Sequence, residues 1–490
     1  MITLAADTVP VSWSAIAPEI VLLGCACALL CIAVFMPLGL GRVASAGVAA
    51  GGFVAAMVVS VTQYEDTARY AFDHTLRIDS FGQAGRLVVF SAGLLAVLVA
   101  WGSPWLRDRA VECFALMLTA AAGMSLLVVA NSFVTVFVAL ELFSLCLYIL
   151  VALDVDSLGS LEGGLKYLIV GAVGAALLLY GSALVYGATG AFEFDRIAEA
   201  VRAGDNRDPL LLTGLGLILV GLGFKANAAP FHMWTPDAYQ GAPTAVTTFM
   251  SAATKAVALV TTLRVLVVAF PEQSELWTTL LAALAIASFV VGNLAALRQT
   301  DVKRMLAYST IGHTGFLFTA VAAKSVLGTQ ALVYYLVVYA ATNIGAFGIV
   351  AVREREIGRP VQIDDFRGYA YRRPVLGVAM IVFMLSLAGI PPTAGFIGKL
   401  TIFSAAVDSD LTYLAVAGVV ATMVALVYYL RVPFAMLDRE ARVPIVRNRS
   451  GMVPASLAVA VSALAVLVLF FIPGPLLDVA KTAGQSLLGG

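Results

Sequence analysis

The stretch Gly221–Lys255, GLGFKANAAPFHMWTPDAYQGAPTAVTTFMSAATK, decides how the rest of the chain is read. It stands among apolar runs long enough to cross a bilayer, yet it carries Lys225, Lys255, His232 and the prolines Pro230, Pro236 and Pro243. A charged side chain in hydrocarbon costs about 2.5–3.5 kcal/mol on insertion scales. Proline removes a backbone donor and clashes with the preceding turn. Inside a membrane the two together are tolerated only where protein or trapped water satisfies the freed groups. The stretch predicts a broken membrane helix at Ala229-Pro230 and a buried charged working centre.

Composition agrees. Of 490 residues, 61% are hydrophobic and 12% charged, with net charge zero; soluble proteins carry about 25% charged residues. No basic or acidic excess points to nucleic acid. The start, MITLAADTVPVSW, lacks the positive residues of a signal peptide, so the first apolar run is expected to be a retained helix. Cys25, Cys27, Cys31, Cys113 and Cys146 all lie in apolar runs and form no paired CxxC pattern, so they read as packing residues rather than iron–sulfur or zinc ligands. Among the three histidines, His74 falls in a predicted loop. His232 and His313 have no pattern beyond their number that places a haem on them. The glycines of GLGLILVGLGF (Gly214, Gly216, Gly221, Gly223) follow no strand and read as helix packing, not as a dinucleotide loop. No Walker motif, nucleophile elbow or metal-ligand cluster appears.

Runs of the length a spanning helix needs number fourteen: 14–36, 43–63, 80–101, 111–130, 132–152, 160–187, 209–240, 243–268, 275–297, 302–323, 328–352, 373–407, 411–436 and 453–472. Two are too long for one straight helix and contain proline: the opening stretch, and SLAGIPPTAGFIGKL, broken at Pro391-Pro392. Each break falls in the fourth helix of a five-helix unit. An odd number of helices makes the second unit start from the opposite side, as an inverted repeat. The predicted fold class is thus an all-α polytopic membrane protein of about 14 transmembrane helices with two inverted five-helix repeats, each with a broken helix. Within one transmembrane domain, 1–490, the divisions are three N-terminal helices (1–110), the first repeat (111–268), the inverted second repeat (275–437) and a C-terminal helix (438–490). The segment 192–205 has a helical apolar period and predicts a short surface helix.

Loops after odd-numbered helices hold seventeen Lys and Arg, including Arg107, Arg442, Arg447 and Arg449, against seven on the other side. The positive-inside rule then places both termini outward. Six basic residues remain within spans: Arg86, Lys166, Lys225, Lys255, Arg264 and Lys399. The chain has 23 arginines and 7 lysines, yet four of these six are lysine. Arginine is never deprotonated in proteins, whereas lysine readily is when buried, so the bias points at proton handling. Arg86 and Arg264 lie near helix ends and are expected to snorkel to the interface. Glu141 is the one carboxylate near a span centre; Glu19 and Glu112 sit at helix starts, in touch with water. Glu141 with Lys225 reads either as a titrating relay pair or as a static bridge. Lys166 reads as relay or snorkelling residue, His232 as relay or cap of the break, and His313 as relay or packed polar residue. Lys255 is central in its span, and Lys399 follows the second break as the counterpart of the Lys225 region.

These residues carry a resemblance. GFKANAAPFHMWTPDAYQGAPTAVTTFMSAATK and LAGIPPTAGFIGK resemble the two broken-helix signatures of the subunit N family of proton-pumping NADH–quinone oxidoreductase (respiratory complex I), and the likeness covers the whole chain. The wider family includes subunits L and M and the large subunits of Mrp-type sodium/proton antiporters. Lys399 argues against subunit M, which tends to have glutamate there, and no long lateral helix of the subunit L kind follows the last span. The resemblance implies that Glu141 and Lys225 form the helix-five/broken-helix pair, that Lys166 neighbours Glu141, that Lys255 is the central relay and that Lys399 ends the outward half-channel. It implies a proton-translocating subunit of an enzyme whose NADH, FMN, iron–sulfur clusters and quinone belong to other subunits, with none in this chain. It also implies a bacterial plasma membrane, with subunit M, small subunit K and the lateral helix of subunit L as neighbours. A sodium/proton antiporter subunit and a purely structural membrane-arm subunit are the alternatives.

Overall fold

A computed structural model describes residues 12–35, 38–64, 68–106, 109–439 and 452–489. Arg107, Arg442, Arg447 and Arg449 of the loop-charge reading lie outside these, as do residues 1–11. The chain runs through α1 (Ala17–Phe35), α2 (Leu38–Thr62), a hairpin of β1 (Arg69–Ala71) and β2 (Leu76–Ile78), then α3 (Ser80–Ala100), α4 (Ala110–Val128), α5 (Phe133–Val151) and α6 (Leu158–Thr189). After α7 (Phe194–Ala203) come α8 (Pro209–Lys225) and α9 (Thr235–Gly241), then α10 (Thr244–Arg264), α11 (Ser274–Leu297), α12 (Val302–Ala322) and α13 (Val326–Ile357). The remainder is α14 (Tyr369–Arg372), α15 (Pro374–Ala388), α16 (Ala394–Asp408), α17 (Thr412–Met436), α18 (Met452–Phe471) and α19 (Gly474–Leu488).

Among the described residues, eleven helices are long and apolar enough to cross a membrane, and α8 and α15 are shorter apolar halves. Together with α12, which is long enough but carries His313 and four Ser/Thr hydroxyls, they account for the fourteen predicted runs. The protein is an all-helical, multi-pass membrane protein. The predicted surface helix is α7, whose Phe194, Ile197, Ala198 and Val201 are buried. Two features differ from the sequence reading. The loop holding His74 is the tip of the β1–β2 hairpin, whose strands of three residues are too short to show alternation. Beyond the last predicted span, α19 forms and buries Ala480, Ala483, Gly484 and Leu487.

The core helices α10 and α13 are enclosed on nearly every side. Alanine, serine and threonine dominate α10, so neighbouring backbones approach closely, as in membrane interfaces generally. The glycines of α8 work the same way: a Cβ on Gly214 would stand 2.7 Å from Gly181 O, and one on Gly221 2.6 Å from Leu178 Cβ.

Both predicted breaks are present, and both carry a cis X-Pro bond, Ala229-Pro230 and Pro391-Pro392. At the first, α8 stops at Lys225, Asn227 takes φ 61°, and α9 restarts with Pro236 in its first turn. The Ala229 N–H, freed from helix, donates to Ser288 Oγ of α11 at 3.0 Å. At the second, Gly389 ends α15 with φ 78°, and Thr393 Oγ1 donates to Ile390 O at 2.6 Å.

Candidate functional site

Lys225 is the last residue of α8, 5% exposed. Its Nζ donates to Ser144 Oγ of α5 at 2.7 Å. Around it stand the rings of Phe143, Phe224, Tyr148 and Tyr167, with centroids 5.2 to 5.6 Å away. Tyr167 stacks on Trp234 with centroids 4.0 Å apart, closing the box from the side of the break. Glu141, the carboxylate expected to pair with Lys225, stands three residues before Ser144 on α5. Glu141 and Lys225 form no direct ion pair among the described residues, and Glu141 Oε1 is buried without a protein partner.

Lys255 sits mid-helix in α10, fully buried. It donates to Ala226 O at 2.7 Å, to Thr310 O at 3.1 Å and to Thr314 Oγ1. Ala226 is the residue after Lys225, so the two lysines meet at the broken end of α8. Thr314 Oγ1 also donates to Ala226 O at 2.7 Å. A half-helix end presents unpaired carbonyls and the negative pole of the helix dipole, so an ammonium is at home there. Lys399, on the second turn of α16, repeats the arrangement: its Nζ donates to Ala388 O, at the end of α15, at 3.1 Å and to Thr422 Oγ1 at 3.3 Å. The Phe316 ring lies 4.5 Å from the same ammonium. Lys225 therefore precedes its break, whereas Lys399 follows its own. In spacing from the cis proline, the residue matching Lys399 is Asp237.

Between Lys255 and Lys399 lies a run of hydroxyls around His313 of α12. Thr310, which receives Lys255, also accepts from Tyr339 OH at 3.0 Å. The Tyr339 ring is 5.2 Å from the His313 ring. His313 Nδ1 meets Tyr335 OH at 2.8 Å and Nε2 meets Tyr429 OH at 2.9 Å; Tyr429 OH also bonds Ser309 Oγ. Tyr335 packs so closely on α16 that a Cβ on Gly398 would come within 2.3 Å of it. His313 thus lies in the polar line, with both ring nitrogens in use.

Other expectations fare differently. The ion-pair partners of Lys166 are Glu162 at 2.6 Å and Asp237 at 2.7 Å rather than Glu141, with 44% of its side chain exposed. Asp237 also holds Arg304 at 2.6 Å. Lys166, Glu162 and Asp237 line a cleft of about 810 Å³ that also includes Lys303, Glu354 and Arg359, on the arginine-rich side of the chain. His232 is half-buried in the turn between α8 and α9 with Nδ1 unpartnered, and no hydrogen bond joins it to the lysines. Arg86 and Arg264 do not snorkel. Arg86 is fully buried and reaches Glu19 at 2.7 Å, so Glu19 is not at the water surface either; Ser125 Oγ completes the pair at 2.6 Å. Arg264 grips Asp79 with two bonds of 2.8 and 2.7 Å. In both cases a carboxylate from a neighbouring helix start meets the guanidinium before the interface does.

The aromatic box and the hydroxyl run were absent from the sequence reading. Part of the signal was there: Glu141, Ser144 and Tyr148 fall at helical spacing on α5, and Tyr335 and Tyr339 are four apart on α13, each pair sharing a face.

The whole chain has known relatives. The family model for NADH:quinone oxidoreductase/Mrp antiporter transmembrane proteins matches residues 130–425. NADH-quinone oxidoreductase subunit N of Trichlorobacter lovleyi is 38% identical over 96% of this chain and 97% of its own length. A chain of respiratory complex I from Thermus thermophilus, solved with bound aureothin, superposes with a TM-score of 0.80 at 34% identity, covering 94% of this chain and 98% of that one. A chain of the Mrp complex from Dietzia sp. DQ12-45-1b has a TM-score of 0.82 at 21% identity over 96% and 98% of the two chains, a likeness of fold. By sequence over nearly its full length, the chain belongs to the NADH:quinone oxidoreductase/Mrp antiporter family and, within it, to the N subunits of NADH-quinone oxidoreductase.

Proposed function

We propose that the chain carries protons across the membrane within the membrane arm of the oxidoreductase, along Glu141, Lys225, Lys255, His313 and Lys399. The observation that supports this most is the placement of the polar groups: three buried lysines, two of them seated on half-helix ends, with Thr310, Tyr339 and the His313 cluster lying between Lys255 and Lys399. Half-helix ends paired in this way are characteristic of ion paths built from inverted repeats, which is how we read the sets around α8–α9 and α15–α16. Uptake is from the arginine-rich, inner side through the cleft at Lys166 and Asp237, with release outward from Lys399 and both termini outside. His232, off the hydrogen-bonded line, caps the first break.

Closing Glu141 onto Lys225 stabilises the charged lysine, and opening the pair releases its proton toward Lys255. Moving one charge against 100 mV needs about 2.3 kcal/mol, within reach of one partly buried ion pair. The driving redox chemistry, with NADH, FMN, iron–sulfur clusters and quinone, belongs to other subunits of a bacterial plasma-membrane complex. Neighbours are subunit M, subunit K and the lateral helix of subunit L.

The test is proton yield per NADH in reconstituted complexes carrying Lys225→Ala or Lys255→Ala. Both are expected to assemble and to lose coupled pumping. Full yield from either overturns the path and leaves a structural role; pumping that requires sodium and moves it favours sodium/proton exchange instead.

A further inference from the structure

Lys225 is held in this structure by an acceptor other than the carboxylate assigned to it. Ser144 Oγ donates its own proton to Leu140 O, which leaves the hydroxyl as acceptor for Lys225 Nζ at 2.7 Å. Ser144 and Glu141 are three residues apart on α5, so they are neighbours on one helix face. Glu141 Oε1 is buried without a partner, as is the hydroxyl of Tyr148 one turn further on. Two acceptors for one ammonium therefore stand within a turn of each other, and here the hydroxyl is occupied.

The two acceptors differ in chemistry. A carboxylate can take the proton from an ammonium. A serine hydroxyl already donating elsewhere cannot, nor can the faces of Phe143, Phe224, Tyr148 and Tyr167 that surround the same nitrogen. Ring faces attract a cation without a directional bond, so they hold the charge while the hydroxyl fixes its position.

We propose that Ser144 is the positioning residue that holds the Lys225 ammonium once its ion pair with Glu141 has opened and before its proton passes toward Lys255, so that the lysine alternates between two acceptors on one face of α5. This rests on the proton path proposed above. One hydrogen bond to a charged group shifts an equilibrium on the order of ten- to hundredfold. Removing the hydroxyl returns the lysine to Glu141 and holds the pair closed.

In the assembled complex, Ser144→Ala is expected to lower proton-coupled NADH oxidation roughly tenfold, and Ser144→Thr, which keeps a hydroxyl, to restore it. A cryo-EM map of the alanine variant is expected to place Lys225 Nζ against Glu141. Coupled turnover of Ser144→Ala equal to the unmodified complex, or Nζ still inside the aromatic box in that map, overturns the proposal. If the alanine variant does not assemble, Ser144→Cys keeps the volume, weakens the acceptor and is read the same way. Full pumping by Lys225→Ala would remove the path itself. Loss of pumping there, with Ser144→Ala unaffected, would remove only the role of Ser144.

Discussion

Lys399 illustrates how a single side chain combines structure and chemistry. Its ammonium caps the end of α15 at Ala388 O and lies over Phe316. Lys399→Arg keeps the charge and the capping donors but loses deprotonation; coupled turnover is expected to fall at least tenfold while the complex still assembles, measured as NADH oxidation with and without an uncoupler. Unimpaired turnover would end its relay role. At His313, the double substitution Tyr335→Phe and Tyr429→Phe removes both ring-nitrogen partners. It is expected to reduce proton yield per NADH severalfold with little change in assembly, since both rings keep their packing. The lysines were legible in the sequence because a charge in hydrocarbon is costly whatever surrounds it. The tyrosines and threonines were not, because such residues have harmless roles in any helix. Tyr429 gains meaning only from Ser309 and His313, more than a hundred residues away.

At the scale of elements, the breaks were read correctly from proline, yet what makes the second one work is a glycine. Gly389 ends α15 at φ 78°, and a Cβ there would stand 2.7 Å from Lys399 Cδ. A left-handed conformation costs a non-glycine residue roughly 1–2 kcal/mol, and the contact displaces the lysine stem as well. Gly389→Ala is expected to lower coupled turnover more than it lowers the amount of assembled complex, because the lysine moves off Ala388 O before the helices separate. Equal losses in both would mean that the glycine serves packing alone. Helix lengths and breaks followed from composition, whereas the hairpin did not, its strands being too short to carry a pattern. Lys399 was read as following its break, but its matching to the Lys225 region does not hold, since Lys225 precedes its own break and the spacing from the cis proline matches Lys399 to Asp237.

For the whole molecule, two buried ion pairs tie α3 to α1 and to α10. Arg86 and Glu19 join α3 to α1, with Ser125 adding α4, and Asp79 ties the start of α3 to Arg264 of α10. Deleting one partner of a buried pair leaves an uncompensated charge, which costs about 3–5 kcal/mol. Arg86→Ala is therefore expected to lower the thermal inactivation midpoint of the complex by several degrees, and Arg86→Ala with Glu19→Ala together to recover part of that loss. No recovery would mean that the pair contributes through packing. The sequence placed both arginines near helix ends but could not name carboxylates 67 and 185 residues away.

The polarity of α12 bears on how the protein is made. His313 and Ser309 find their partners on α13 and α17, while Thr310, Thr314 and Thr319 donate back to carbonyls of α12 itself, and hydrocarbon offers a lone helix with a buried histidine little gain. Its closest backbone neighbour is α11, where a Cβ on Gly292 would reach Gly312 N at 2.4 Å. During synthesis α12 should therefore enter the bilayer as one arm of a hairpin with α11, which packs on its glycine face and leaves His313 and Ser309 to be covered when α13 and α17 arrive. The residues that build the polar line would then also set the order in which the chain is threaded into the membrane.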